Sequence, residues 1–250
     1  MVRLFEVLSG SGIDPIPNAF RVDDLIRGSR IDGREPTTGE FPATIGTQIA
    51  NAYATMLASV EAAGATAAHI GQVSFYFQNI DDRALINERW IELFPDPDDR
   101  PTYKFMPARL AGGQLLQMDF YAVPGASRRS IHVQGVAHAN PIPMAVQIGR
   151  YLFTSRILAY DPATEKAAAT AEEQADFVFQ HAQTILDAAG FDWNDVSQGR
   201  GFVADLSLMP LVTERWMHRF QSKDAAPLHA TRYGGGALQV MLELIAHRDE

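Results

Sequence analysis

The chain reads as an α+β protein made of two tandem copies of one domain, each a mixed β-sheet with two helices packed on one face. Three observations predict this. An internal repeat runs at a constant offset of 126: Pro15-Ile16-Pro17 recurs as Pro141-Ile142-Pro143, Ser29-Arg30-Ile31 as Ser155-Arg156-Ile157, and Glu88-Arg89-Trp90 as Glu214-Arg215-Trp216. From Pro15 to Pro101 the ungapped offset gives 23 identities in 87 positions, where ordinary composition gives roughly five by chance. Each copy is long enough to bury its own core, so the repeat is a duplicated domain and not a solenoid unit. Hydrophobic periodicity switches between strand and helix in the same order in both halves. Val123-Pro124-Gly125-Ala126-Ser127 punctuates the junction, which sets the expected domains at 1–124 and 127–250.

Each element follows from local pattern. Alternation around Arg3–Leu8 and Ser130–Val136 predicts a first strand, and Leu25–Ile31 and Tyr151–Ile157 a second. Thr47–Ala63 places Ile49, Tyr53, Met56 and Val60 on one helical face, and Glu173–Ala189 does the same with Val178, Ala182 and Ile185. Gly64 and Gly190 stand where a helix end needs a residue tolerant of positive φ. Val73–Phe77 and Gly201–Ala204 read as strands, followed by a second helix through Trp90 and Trp216. Each copy is expected to close with a hairpin, Thr102–Met106 to Gln114–Ala122 and Leu228–Arg232 to Leu238–Ala246, turned by Gly112-Gly113 and Gly234-Gly235-Gly236. The expected order is β-β-α-β-α-β-β.

Composition narrows the function. A formal net charge of −9 over 250 residues argues against a phosphate-backbone partner, which needs clustered Lys and Arg. With no cysteine, disulfides, thiolate metal sites and a cysteine nucleophile are excluded. The amino-terminal apolar run contains Glu6 and lacks a signal-peptide core, and no run approaches a membrane span, so a cytoplasmic location is expected. His132 and His138 lie six apart without a third ligand in view, so no metal and no cofactor is expected.

The segments Asn140-Pro141-Ile142-Pro143-Met144-Ala145-Val146 and Gly149-Arg150-Tyr151-Leu152-Phe153-Thr154-Ser155, with Asp161-Pro162 after them, resemble the opening strands of the RidA/YjgF family. Ala188-Ala189-Gly190 and Asn87-x-x-Trp90-x-x-x-Phe94 resemble its helices. Pro101 and Pro227 match the proline opening its last hairpin, and Leu242-Glu243-Leu244-Ile245-Ala246 its closing strand. The resemblance implies a chorismate-mutase-like fold, trimers of domains, and a small pocket between neighbouring domains where imines or enamines are hydrolysed. Three domain copies close one ring, so a two-copy chain is expected to form a homotrimer.

The same resemblance implies a site from which this sequence departs. The family's carboxylate-gripping Arg, two residues after the hairpin proline, is Tyr103 in copy one and His229 in copy two. Its water-ordering Glu is Gln117 in copy one and Met241 or Glu243 in copy two, depending on a two-residue placement of the turn. Its Tyr is replaced by Ile16 and Ile142. Ser29 and Ser155 are kept, but the Gly after each has become Arg30 and Arg156. Asn87 is kept in copy one and is Thr213 in copy two. One reading moves the anion-binding charge from the hairpin to the second strand. Arg30 or Arg156 then meets a substrate carboxylate, Ser29 or Ser155 donates a hydrogen bond, and Asn87 and Gln117 complete the binding set. His229, Glu243 and Tyr103 are the candidate proton-transfer groups. Against this stand structural readings, in which Arg30 and Arg156 brace an interface and His229 is a surface histidine.

Two functions remain open. The first is a small-molecule enzyme that hydrolyses, deaminates or rearranges an imine, enamine or cyclic amide. The second is a non-catalytic ligand-binding or scaffold protein that has lost the family's Arg and Glu. The partner expected in either case is a small anionic or imine-like metabolite.

Overall fold

A computed structural model describes residues 3–5, 17–136, 140–220, 225–233 and 236–249. The expectations at Ile16, His138, Gly234 and Gly235 lie outside them. The chain divides into two compact units, Met1–Arg128 and Arg129–Glu250.

The first unit runs β1 (Arg3–Phe5), β2 (Ala19–Val22), β3 (Leu25–Asp32), α1 (Ile45–Ala62), β4 (Ile70–Phe77), α2 (Arg83–Leu93), β5 (Thr102–Pro107) and β6 (Leu116–Ala122). Its sheet order is β1-β2-β3-β6-β4-β5. The second unit runs β7 (Arg128–Ile131), β8 (Ala145–Ile148), β9 (Tyr151–Thr154), β10 (Ile157–Leu158), α3 (Ala171–Ala189), β11 (Val196–Val203), α4 (Met209–Met217), β12 (Leu228–Arg232) and β13 (Val240–His247). Its sheet order is β12-β11-β13-β9-β8-β7, with β10 also on β13. Both sheets are mixed: β4 pairs parallel with β5 and antiparallel with β6, and β11 does the same with β12 and β13.

Two expectations change. First, each unit has an additional strand, β2 and β8, absent from the predicted order. Tight turns pair these with the next strand, at Asp23 (φ 51) and at Gly149 (φ 56). Second, the closing strands form no hairpin. The strand before the second helix lies between them, so β5 and β6 flank β4, and β12 and β13 flank β11. The parallel pair is closed through the helix that precedes β5 or β12, as a β-α-β crossover requires.

The helices begin and end where their sequences provide caps. Thr44 caps α1 through Thr47 N–H, and Thr170 with Glu173 forms a capping box on α3. Gly190 ends α3 at φ 76, and Gly64 follows α1 at φ 79. Buried Gln48 and Gln174 do the same work in their own units. Gln48 Nε2 donates to Pro42 O and Gly113 O while its Oε1 accepts from Leu115 N–H. Gln174 Nε2 donates to Ala168 O and Ala237 O while Oε1 accepts from Gln239 and Val240 N–H. Each glutamine thereby sets where the last strand starts.

Strand alternation then sorts side chains between a helix face and a far face. On β4, Phe75 meets Tyr53 of α1 and Trp90 of α2, each at 5.9 Å between ring centroids, so Gln72, Ser74 and Tyr76 point to the far face. On β11, a Cβ on Gly199 would come 2.3 Å from the Trp216 ring, and one on Gly201 would touch Met209 and Val212 at 3.4 Å. Those glycines admit α4, and Arg200 between them points to the far face. Overfilling such a contact typically costs about 1–3 kcal/mol. Gly199→Ala should lower unfolding stability by that amount in urea titration, whereas Gly46→Ala, whose Cβ would meet nothing within 4 Å, should not.

Candidate functional site

The far face of the second unit gathers the chemically active residues. Glu243 on β13 is the direct partner of Arg200 on β11, and Arg200 is the direct partner of His229 on β12. Direct partners share a face, so the three form one row across neighbouring strands about 4.8 Å apart. Glu243 is 2% exposed, Arg200 is half-buried and His229 is exposed at the outer end. Two residues along from Arg200, Phe202 partners Met241 on one side and Thr231 on the other.

Arg156 reaches this face from a β-bulge. Between the pairs Phe153–Ile245 and Ile157–Leu242, the three residues Thr154, Ser155 and Arg156 oppose Leu244 and Glu243. Thr154 Oγ1 accepts from Leu244 N–H at 2.9 Å and fills the gap in the ladder. The Arg156 guanidinium carbon lies 4.5 Å from the Phe202 ring centroid and 3.9 Å from that of Tyr233. The two rings stand edge to face, 6.0 Å apart at 79°. Stacking on two aromatic faces holds the guanidinium in place and leaves its charge intact.

The first unit builds a different far face on the same plan. Its bulge puts Ser29 and Arg30 opposite Asp119, between the pairs Gly28–Phe120 and Ile31–Met118. Arg30 adopts φ 58 and is exposed, and its N–H donates to Asp119 Oδ1 at 3.3 Å. The row is Asp119–Ser74–Lys104. Arg27 Nη2 stands 3.8 Å from Asp119 Oδ2 and its Nη1 donates to Tyr121 Oη. Burial raises the Asp119 pKa above the ordinary aspartate value, while Arg27, the Arg30 N–H, Tyr76 and Lys104 pull it back. This carboxylate is already enclosed by the unit's own donors.

Residues 134–239 match the family profile described as Endoribonuclease L-PSP. The second unit belongs to the RidA/YjgF family. Solved structures with a similar fold include RidA from an Antarctic Psychrobacter, at 24% identity over 48% of this chain and 99% of that one (TM-score 0.45). A Thermotoga maritima protein described as a putative endoribonuclease shares 25% identity over 49% and 98% (TM-score 0.44). The YjgF gene product of E. coli shares 22% over 48% and 99% (TM-score 0.43). No curated protein matches the chain.

The expected site residues separate. His229, Glu243 and Arg156 share the far face of the second unit. Gln117 lies on the far face of the first, opposite Tyr76 and Asp32, with Gln114 Nε2 donating to it at 3.4 Å. Tyr103 turns to the helix face instead: it is 2% exposed, packs on Trp90 with centroids 5.1 Å apart, and donates to Asn87 Oδ1 at 2.6 Å. Burial raises its pKa. Tyr103 and Asn87 thus satisfy each other beside the core. Ser155 is also buried, its N–H donating to Met144 O at 2.8 Å and its hydroxyl 3.9 Å from Met144 Sδ. Ser29 is half-buried and its N–H donates to Asn18 O.

Register also separates the two alternatives for the carboxylate position. The bulges on β4 and β11 fall at Ile70/Gln72 and Val196/Gln198, an offset of 126, but their partners Ala122 and Ala246 are offset by 124. Glu243 therefore corresponds to Asp119, and Met241 to Gln117. Asp119 and Arg200 were missed in the sequence. Asp119 alternates with Met118 and Phe120 in a strand that is otherwise plainly periodic, and Arg200 is a lone charge between two glycines; both patterns mark a residue facing away from the helices.

The Asp119 shift has a testable sign. A folded-state pKa raised above the unfolded value means that ionising Asp119 costs stability. That cost is absent below 3.8, where both states are protonated, and complete above the folded pKa, so stability falls as pH rises through the interval. In thermal melts, Asp119→Asn should remove this slope, so the variant gains on the parent as pH rises from about 3.8. Parallel melting curves would contradict it.

Proposed function

We propose that the chain is a cytoplasmic homotrimer of tandem RidA/YjgF domains, 1–124 and 127–250, whose second domain hydrolyses or deaminates a small anionic imine, enamine or cyclic amide. The family comprises small-molecule imine deaminases and ligand-binding proteins. The observation that carries the reading is the Arg156 guanidinium on Phe202 and Tyr233, on the same face as the buried Glu243 carboxylate.

In this reading Arg156 grips the substrate carboxylate through its planar fork. Glu243 takes a proton from water as the water oxygen bonds to the C=N carbon, then delivers that proton to nitrogen. The resulting carbinolamine returns its hydroxyl proton to Glu243 as the carbonyl forms. The C–N bond breaks, and the nitrogen leaves as the amine with that proton. Water is consumed, and no redox partner is required. His229, exposed at the end of the row, is the proton carrier that meets solvent. A net charge of −9 supports a small-molecule substrate over RNA.

The first domain is assigned a binding or structural part. Asp119 is occupied by Arg27, the Arg30 N–H and Tyr76, which favours the non-catalytic reading for that half.

The assay is release of 2-oxobutanoate and ammonia from 2-iminobutanoate generated in solution. Glu243→Gln should lower the rate at least about a hundredfold, the usual worth of a positioned general base, without changing the melting temperature. Arg156→Lys should raise KM by losing the fork. Loss of activity in Asp119→Asn with Glu243→Gln unaffected would move the chemistry to the first domain and contradict the reading. A chain mass near 27.5 kDa by light scattering would contradict the trimer.

A further inference from the structure

Resting on that reading of the second unit, we infer that its substrate carries two anionic groups, the second held by Arg200. The far face holds two permanent positive charges, not one. Phe202, under the Arg156 guanidinium, lies two residues beyond Arg200 on β11, on the same face and about 7 Å away along the strand. Among the described residues no ion pair or hydrogen bond engages the Arg200 guanidinium, whereas Glu243 beside it has an interaction of its own.

Arg200 also has no counterpart in the first unit. The register-equivalent position in the first unit is Ser74, whose neighbours are Asp119 and Lys104. The second unit thus carries a cation where the first has a serine, on the face opposite the one that Gly199 and Gly201 turn to α4. A half-buried guanidinium that makes no ion pair with its acidic neighbour Glu243 is open to an anion from outside. One carboxylate engages one fork. Filling both forks with one molecule takes two acidic groups on a short carbon chain, with the C=N carbon of the same molecule beside Glu243. The protein's net charge of −9 gives no general attraction for dianions, so a preference for one reports the local pair.

Calorimetric titration of the full chain with two product-like probes, 2-oxobutanoate with one carboxylate and 2-oxoglutarate with two, tests this. The expected result is 2-oxoglutarate binding at least about tenfold tighter, the value of a charge-assisted contact. Arg200→Gln should erase that preference by weakening 2-oxoglutarate far more than 2-oxobutanoate, and Arg200→Lys should restore part of it. Far-UV circular dichroism checks that each variant is folded. Equal affinity of the parent protein for the two probes, with 2-oxobutanoate lost in Arg156→Gln, overturns the second anion while the site stands. If Arg156→Gln leaves both probes unaffected, or neither binds the parent at about 10 mM, the site reading falls and the inference with it.

Discussion

The β-bulge that ends the second long strand of each unit governs what the far face can hold. In the first unit two residues oppose Asp119, and in the second three oppose two. An extra residue re-aims a side chain without moving the strands that flank it. The first unit accepts the bulge by forcing Arg30 to φ 58, a conformation that costs an L-residue about 1–2 kcal/mol; in return the Arg30 N–H faces the Asp119 carboxylate, and the side chain turns outward. Arg156 avoids the left-handed region, because Thr154 supplies the missing ladder acceptor from its side chain. Its guanidinium is therefore delivered onto Phe202 and Tyr233, and the whole second-unit site depends on that delivery.

Around these bulges the two far faces have parted chemically. Arg27, Tyr76, Tyr121 and Gln117 surround the Asp119 carboxylate in the first unit, and the register equivalents in the second are Phe153, Phe202, Ile245 and Met241. One carboxylate is embedded in a polar network and the other is set among apolar side chains with an arginine on either side. A closed network rigidifies and has little capacity for a ligand, whereas apolar walls with a few placed charges make a binding surface. The same backbone thus carries a closed polar network in one half and a carboxylate between two arginines on an apolar face in the other.

Much of this was legible in the sequence. The 126-residue repeat, the helices through Trp90 and Trp216 and the glycine ends of α1 and α3 all follow from local pattern, since periodicity and capping are local. The four-residue strands β2 and β8 were not legible from periodicity, because neither is long enough to show alternation beside the Pro-Ile-Pro segments, and only the family resemblance of Asn140–Val146 pointed to β8. The expected closing hairpins failed for a different reason: the β4 insertion between β5 and β6 is a non-local pairing that adjacent sequence cannot report. The site suffered from loop length. Pro101 to Asp119 spans 18 residues and Pro227 to Glu243 spans 16, so the sequence left Met241 and Glu243 both open as the counterpart of Gln117. A single register difference likewise put Tyr103 against the core and His229 on the far face.

The central claim is that the second unit's far face binds an anion through Arg156 and presents its carbon to Glu243. A crystal structure of the protein soaked with 2-oxobutanoate tests it most directly. The ligand carboxylate should lie within hydrogen-bond distance of the Arg156 guanidinium, with the carbonyl carbon beside Glu243 and nothing beside Asp119. Ligand density next to Asp119, or a far face of the second unit that stays empty at saturating ligand, would contradict it.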